Sequence, residues 1–278
     1  MTAPPPGTPQ SRAISVVVFG VRSPVIDAGP PRESEAVVFV HGNPGTGHDW
    51  YDLIARVSYF ARAIAPDMPG FGQADKPPDF DYTVDGYARH LGGVLHDFGG
   101  PWGLAWALAH PDRFASVTLL NIGVLIGYRW HRYARIWRTP VLGELFQATA
   151  NRPAFRTLLG RENPGLSRDA LDRIYDQTDG WPTKRAVLRL YRATPPDFGE
   201  PLAGQFRELD RPALVVWGSD DAYVPVEQAG RQREAFPSAR IEVLEGHGHW
   251  AFWEDPERVA ALVVPFLEKQ LHRRSPAE

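Results

Sequence analysis

Residues 94–103, VLHDFGGPWG, are the stretch on which the interpretation of this chain depends. Its apolar start predicts a β-strand, and the Asp followed by a glycine pair predicts a sharp turn before a helix. In parallel α/β proteins, functional groups collect where strands end and helices begin. Asp97 is therefore a candidate nucleophile, and its strand needs a place in a sheet.

The rest of the chain alternates between β-rich and helical patterns. Short, apolar, β-branched runs predict buried strands, and the segments between them show the spacing of amphipathic helices. This alternation predicts an α/β fold with a mainly parallel sheet and helices on both faces. Strands are expected within residues 15–20, 36–42, 61–72, 115–121, 212–221 and 239–249, and helices within 49–60, 101–114 and 257–274.

Residues 122–205 have a different character, because they are rich in Arg, Trp and Tyr and show helical spacing without a strand pattern. We interpret this segment as a helical cap inserted into the α/β core. The expected division is a flexible tail in 1–14, the first part of the core in 15–121, the cap in 122–205 and the second part of the core in 206–278.

The composition excludes several classes of protein. With 278 residues, of which 43% are hydrophobic, the chain can bury the core of one large domain or of a domain plus an insertion. Its 30 basic and 33 acidic residues leave a formal charge of −3, which argues against a nucleic-acid partner. The absence of cysteine excludes disulfides, thiolate metal sites and a cysteine nucleophile. No His, Asp or Glu cluster has the spacing of metal ligands, so neither a metal nor a cofactor is expected.

The N-terminus lacks the basic and apolar regions of a signal peptide. The longest apolar stretch, residues 117–127, is too short to span a bilayer. We therefore expect a cytoplasmic monomer or homodimer with no membrane partner.

Polar or turn-forming residues follow four of the predicted strands. These are His41-Gly42-Asn43-Pro44, His96-Asp97-Phe98-Gly99, Asp220-Asp221 and His247-Gly248-His249. Each has an ordinary structural explanation when taken alone, since an Asp after a strand commonly caps a helix or forms a turn. Together, in the order nucleophile, acid and histidine, they match a hydrolytic triad.

Five motifs, in the same order along the chain, resemble those of α/β-hydrolases of the aspartate-nucleophile branch, which includes epoxide hydrolases and haloalkane dehalogenases. They are HGNPG, APDMPGFGQADKP, HDFGG, VVWGSDDAYVP and GHGHWAFWEDPE. The resemblance extends from about Ser15 to Leu271 and implies an α/β-hydrolase fold. No Gly-x-Ser-x-Gly motif occurs in the chain, which argues against an ordinary serine esterase or peptidase.

The resemblance also implies a role for each matching residue. Asp97 would attack carbon and form an alkyl-enzyme ester. His249 would activate water against that ester, and Asp221 would orient and charge-stabilise the imidazole. The backbone N–H groups of Asn43 and Phe98 match the oxyanion-hole positions.

The resemblance leaves three functions open, all with a small hydrophobic substrate. Epoxide hydrolysis, which we favour, needs cap tyrosines as proton donors; Tyr191 resembles one, and Tyr128 or Tyr133 is a candidate for the other. Trp130, Tyr133 and Trp137 fall at helical spacing, which is equally typical of aromatic residues of the cap that pack against the core. Haloalkane dehalogenation is the second, because Asn43 fits a halide donor while Phe98 lacks the N–H of the usual Trp. The third is an α/β-hydrolase-fold protein that no longer catalyses and either serves in binding or is degenerate.

The segment before the nucleophile is short. Asp97 follows Val84, where a helix is expected to begin, by only thirteen steps along the chain. An average helix, loop and strand together need about 20 residues. We expect the sheet to be completed at the expense of the helix, because an unfilled central position leaves backbone groups unpaired. Residues 93–96 are then extended between the strands ending near Asp67 and Asn121, after a helix of at most about two turns.

Overall fold

The computed structural model describes residues 11–30, 35–94, 100–195 and 197–272. Its strands are β1 (Ser11–Val18), β2 (Val21–Ala28), β3 (Val37–Val38), β4 (Ala63–Pro66), β5 (Val117–Leu120), β6 (Ala213–Gly218) and β7 (Arg240–Leu244). Its α-helices are α1 (Tyr51–Val57), α2 (Val84–Val94), α3 (Gly100–Ala109), α4 (Arg132–Arg138), α5 (Leu142–Thr149), α6 (Arg152–Glu162), α7 (Arg168–Thr178), α8 (Trp181–Ala193), α9 (Glu200–Leu209), α10 (Glu227–Arg231), α11 (Ala251–Glu254) and α12 (Pro256–His272).

The strands form two sheets, one in the order β1-β2-β4-β3 and the other in the order β5-β6-β7. Pairing is parallel between β3 and β4 and throughout the second sheet, and antiparallel at the two contacts of β2. Helices α4 to α9 lie in sequence between β5 and β6. The predicted α/β class, with largely parallel strands and many helices, is confirmed.

In the N-terminal hairpin, β1 overlaps the strand expected within residues 15–20, whereas β2 is a strand that the sequence pattern did not predict. β2 contains Pro24, which has no N–H to donate and weakens a strand pattern; its carbonyl oxygen accepts a hydrogen bond from the Asp67 N–H at 2.9 Å. β1 begins at Ser11, which pairs with Ala28. Residues 11–14, expected in a flexible tail, are therefore part of the sheet.

Helix α2 contradicts the expectation for the segment before Asp97. It runs for 11 residues and continues through Gly93 and Val94, so the predictions of a helix of at most two turns and of an extended Gly93 are wrong. The physical reason is burial: Tyr87 and Leu91 are completely buried along this helix. Gly93 lies so close to β1 that a Cβ atom there would be 2.3 Å from Val18 Cγ1. Residues 95–99, with Asp97, lie outside the described part of the chain.

A cavity of about 820 Å³ is lined by both β3 and β5, including Val37, Val38, Val117 and Thr118. Within the described ranges, no strand pairs with the sides of β3 and β5 that face away from β4 and β6. The two sheets are instead joined through buried side chains, since β3 and β5 contribute to the same hydrophobic cluster. The cavity extends to the carboxyl ends of the strands, where it reaches His249.

Candidate active site

Asp221 and His249 meet at the carboxyl end of the second sheet. Asp221 follows β6 and His249 follows β7, and these strands pair in parallel, so their ends lie side by side. His249 Nδ1 donates to Asp221 Oδ2 over 2.7 Å. Because Nδ1 is engaged, Nε2 is the ring nitrogen left to take a proton from water.

Asp221 is held by donors on both carboxylate oxygens. The backbone N–H groups of Tyr223 and Val224 donate to Oδ1 at 2.8 and 2.9 Å, and Asn121 Nδ2 donates to Oδ2 at 2.9 Å. Burial acts to raise the pKa of Asp221, but His249 and these hydrogen bonds outweigh it and hold the pKa below its ordinary value. The carboxylate therefore stays ionised beside the imidazole.

Asn121, which the sequence pattern placed only near the end of a strand, supports the Asp221 carboxylate. It directly follows β5 and has a left-handed backbone (φ 53°). Its amide also reaches the Gly248 carbonyl oxygen at 3.3 Å, so it links the ends of β5, β6 and β7. Its position after β5, next to the strand that carries Asp221, was the available signal.

Tyr223 packs against the imidazole from the other side. Its ring centroid lies 5.3 Å from that of His249 in an edge-on arrangement. The Tyr223 hydroxyl donates to Glu162 Oε2 at 2.9 Å and accepts from Asn163 Nδ2 at 3.0 Å. These contacts attach the loop after β6, which also carries Asp221, to the C-terminal end of helix α6, and so fix the ring against which the imidazole packs.

The loop after β3 carries Asn43 at the edge of the cavity. His41 braces the loop, because its Nε2 accepts from the Met68 N–H at 2.9 Å and its Nδ1 donates to the Gly42 carbonyl at 2.7 Å. Burial lowers the pKa of His41, so this ring is neutral. The Asn43 amide atoms are buried and make no hydrogen bond of ordinary geometry with a described residue, although the amide lies near enough to the Tyr191 hydroxyl to lower its pKa. Both side chains line the cavity, where a ligand can contact them together.

The three candidate tyrosines all line the cavity but differ in their hydroxyl partners. Tyr128 donates to the Tyr223 carbonyl oxygen at 2.8 Å. Tyr133 accepts from Arg132 and donates to Glu162 at 3.3 Å. Only Tyr191 keeps its hydroxyl free of carbonyl and carboxylate acceptors among the described residues.

Two neighbours define the position of the Tyr191 hydroxyl. His131 Nε2 lies 3.4 Å from it, and burial lowers the pKa of His131 to about 4, so this ring is neutral. Burial raises the pKa of Tyr191 to about 12, with the adjacent Asn43 amide acting in the opposite direction. Tyr191 therefore keeps its proton at neutral pH and can donate it.

Trp130 and Trp137 add two donors that sequence analysis interpreted as packing residues. Both line the cavity beside Tyr191, with ring centroids 5.4 and 4.9 Å from that tyrosine. Each indole N–H is buried without an acceptor in the part of the chain that the structure describes. An indole N–H can only donate, so these groups suit an electronegative atom of a ligand.

The structure thus brings together Asn43, Tyr128, Tyr133, Tyr191 and His249 around one cavity, with Asp221 behind the histidine. The predicted nucleophile Asp97 and the predicted oxyanion-hole residue Phe98 lie outside the described residues. Over residues 11–30, 35–94, 100–195 and 197–272, no group of three or more His, Asp and Glu side chains could hold a metal. In the same ranges, no helix is long and apolar enough to cross a membrane.

Comparison with known proteins relates this architecture to a family. The model of the alpha/beta hydrolase family matches residues 37–262. The cis-3-alkyl-4-alkyloxetan-2-one decarboxylase of Xanthomonas campestris pv. campestris is 29% identical over 288 residues, which cover 90% of this chain and 93% of the relative. A 2-hydroxy-6-oxononadienedioate/2-hydroxy-6-oxononatrienedioate hydrolase of Burkholderia vietnamiensis is 28% identical over 286 residues, covering 93% and 96%. The solved structure of the epoxide hydrolase CorEH superimposes with a TM-score of 0.77 at 17% identity, covering 94% of this chain and 99% of that one.

Proposed function

This chain belongs to the alpha/beta hydrolase family, and on that premise we propose that it hydrolyses a small apolar epoxide through an aspartate nucleophile. Asp97 is the nucleophile, His249 the base and Asp221 the residue that orients and stabilises the histidine. The observation that carries the proposal is the Asp221–His249 hydrogen bond of 2.7 Å at the edge of a largely apolar cavity.

The proposed reaction has two steps. The Asp97 carboxylate attacks a ring carbon of the epoxide, the carbon–oxygen bond breaks, and the oxygen takes the proton of Tyr191. His249 Nε2 then takes a proton from water as the water oxygen attacks the ester carbonyl, and the imidazolium returns that proton to the departing alkoxide, so that the diol leaves. The proton left on the Asp97 carboxyl passes through solvent to the Tyr191 phenolate, which regenerates both groups. The backbone N–H groups of Asn43 and Phe98 stabilise the oxyanion formed in this second step.

Tyr191 is the feature that favours epoxides over other substrates. Ring opening develops negative charge on oxygen and needs a proton donor at that point. The hydroxyls of Tyr128 and Tyr133 are committed to the Tyr223 carbonyl oxygen and to Glu162. The proposed donor is therefore Tyr191 alone, rather than a pair of tyrosines.

Haloalkane dehalogenation is the second candidate. The buried indole N–H groups of Trp130 and Trp137 and the amide of Asn43 have no acceptor among the described residues, and a leaving halide accepts from such donors. These N–H groups are candidates to replace the side-chain donor that Phe98 lacks.

A trapped ester tests the chemistry. The His249→Gln variant is incubated separately with a 1,2-epoxyalkane, a 1-bromoalkane and a dialkyl oxetan-2-one, and its intact mass is measured. The oxetanone belongs in the panel because the Xanthomonas relative is named for that substrate. An epoxide adds its whole mass to the carboxylate, whereas a bromoalkane adds its mass less hydrogen bromide. We expect the whole-mass adduct with the epoxide, which the additional change Asp97→Ala abolishes.

The matched control is His247→Gln, which changes the neighbouring histidine of the same motif. His247 Nδ1 contacts the Glu245 carbonyl oxygen at 2.9 Å rather than Asp221, so this variant should turn over without accumulating an adduct. An adduct that survives Asp97→Ala contradicts the nucleophile assignment. Failure of every substrate to form an adduct favours the non-catalytic alternative, to which the unbroken helix α2 also points.

Tyrosine variants separate the two enzymatic candidates. For an epoxide, Tyr191→Phe removes the proton donor and should lower kcat by about 10²–10⁴-fold. Tyr128→Phe, which loses a bond to a backbone carbonyl, should have a much smaller effect. For a bromoalkane, Tyr191→Phe should matter little and Asn43→Ala should be the severe change. The reverse ranking with an epoxide would contradict the proposal.

A further inference from the structure

His131, at the start of helix α4, is a partly buried histidine that lines the cavity and has no role in the reaction proposed above. Its Nε2 lies 3.4 Å from the Tyr191 hydroxyl oxygen. Such a contact can run in either direction, because a neutral imidazole nitrogen and a phenol can each donate or accept. The direction matters, since it decides whether the Tyr191 proton is available to a substrate.

The other nitrogen of the same ring determines the direction. His131 is the N-cap residue of α4, and its Nδ1 accepts the Ala134 backbone N–H at 3.3 Å. A backbone N–H can only donate, so Nδ1 carries no proton and the proton of the neutral ring is on Nε2. Nε2–H therefore donates to the Tyr191 oxygen, which leaves the hydroxyl hydrogen of Tyr191 free to be donated to a ligand in the cavity.

Neighbouring aromatic residues hold the imidazole in this orientation. Four rings lie with their centroids 5.5 to 6.2 Å from that of the imidazole and steeply inclined to it, namely Tyr133, Trp137, Tyr191 and Tyr223. The His131 backbone N–H donates to the Tyr128 hydroxyl at 3.3 Å, and this hydroxyl donates to the Tyr223 carbonyl oxygen at 2.8 Å. Tyr128 thus anchors His131 to the loop that follows β6.

We propose that His131 is a positioning residue for Tyr191, whose proton it directs towards the substrate and whose phenolate it stabilises. The inference rests on the proposed function, in which the epoxide oxygen takes the Tyr191 proton as the carbon–oxygen bond breaks. Negative charge then lies on the phenolate oxygen, which continues to accept from His131 Nε2–H. His131 keeps its own proton, and Tyr191 regains its proton in the second step. Because a hydrogen bond to a charged oxygen is stronger than one to a neutral oxygen, the contact favours the transition state over the ground state.

The rate of ester formation tests this role, since the His249→Gln background accumulates the ester and intact mass follows it with time. Asparagine is a preferred N-cap residue, so His131→Asn keeps an acceptor for the Ala134 N–H, but its amide ends nearer the backbone than Nε2 and loses the contact with Tyr191. It should slow formation of the epoxide adduct by about tenfold. His131→Gln, whose longer side chain can carry an N–H towards Tyr191, should recover part of this loss.

The matched control is the same His131→Asn change in the Tyr191→Phe background. If His131 acts through the tyrosine oxygen, the change should have no further effect there. Equal slowing in both backgrounds would indicate a structural role and overturn the proposal.

Nuclear magnetic resonance of the ligand-free protein tests the hydrogen bond without turnover. With ¹⁵N-labelled histidine, long-range ¹H–¹⁵N correlations identify the tautomer of each neutral ring, and the His131 signal is the one that His131→Asn removes. We expect the Nε2–H tautomer for His131 and, as an internal contrast, the Nδ1–H tautomer for His41, whose Nε2 accepts from the Met68 N–H. Tyr191→Phe should shift the Nε2 resonance of His131.

These spectra separate failure of this inference from failure of the proposed function. An Nδ1–H tautomer at His131, or an Nε2 resonance that Tyr191→Phe leaves unmoved, overturns the inference whether or not an epoxide reacts. The expected spectrum together with no epoxide adduct overturns the proposed function and leaves the His131–Tyr191 hydrogen bond as assigned.

Discussion

Replacing Asp49 with asparagine should remove a pH dependence that this carboxyl imposes on the stability of the fold. Asp49 Oδ2 accepts from the Thr46 N–H at 3.1 Å, and Oδ1 accepts from Gln177 Nε2 of helix α7 at 2.5 Å. Burial raises the pKa of Asp49 to about 7, and the nearby Asp67 adds to the effect against these hydrogen bonds. The side chain thus links the loop that carries Asn43 to the helical segment between β5 and β6.

The sign follows from which state holds the proton. The folded protein keeps Asp49 protonated up to about pH 7, whereas the unfolded chain releases the proton near the ordinary value of 3.8. Stability from this group is therefore present at low pH and is lost as pH rises towards 7. One pKa unit corresponds to about 1.36 kcal/mol, so the free energy of unfolding should fall by about 3 kcal/mol between pH 5 and pH 8.

Urea unfolding of both proteins at several pH values from 5 to 8 measures the effect. Asparagine is isosteric and neutral, and Gln177 can accommodate its NH₂ by turning its amide, because Gln177 Oε1 has no partner among the described residues. Relative to the unmodified protein, the free energy of unfolding of Asp49→Asn should rise by about 3 kcal/mol between pH 5 and pH 8. The exposed Asp79→Asn is the matched control and should run parallel to the unmodified protein. Parallel curves for Asp49→Asn would refute the reasoning.

Three further predictions follow from other contacts. Asn121→Asp places a second carboxylate beside Asp221 Oδ2, which should raise the pKa of Asp221 and move the acid limb of the kcat/KM profile to higher pH; an unmoved limb would contradict this. Phe206→Ala removes a completely buried ring that packs on Phe114 and Phe236, and should lower the free energy of unfolding by about 3–5 kcal/mol in urea titrations. EDTA should leave turnover unchanged, and a loss that a divalent ion restores would count against the proposed mechanism.

Sequence patterning predicted most of the core elements but misjudged two. Strands β3 to β7 fall within the expected ranges, because buried parallel strands are read from continuous β-branched runs. β2 was missed because Pro24 weakens its strand pattern, although β1 and β4 both pair with β2. Helix α2 was expected to be short, so that residues 93–96 could join the sheet. Its buried side chains instead keep it helical through Val94.

At the candidate site, the sequence predicted the residues on strand ends better than those on helices. Asp221 and His249 were expected at neighbouring strand ends and lie there, because parallel strands place their carboxyl ends together. The free indole N–H groups of Trp130 and Trp137 were interpreted as packing. Helical spacing shows that residues share a face but says nothing about which polar atom lacks a partner.

The sequence by itself determined the α/β class, the family and the order of the strand-end motifs, because these depend on local periodicity and turn chemistry along the chain. Tertiary structure alone decided that, among the described residues, Tyr191 is the candidate tyrosine whose hydroxyl has no backbone carbonyl or carboxylate acceptor, and that the Asp49 carboxyl is buried. It also decided that α2 stays helical through Val94. Each of these depends on contacts between residues far apart in the chain, and local pattern carries no information about them.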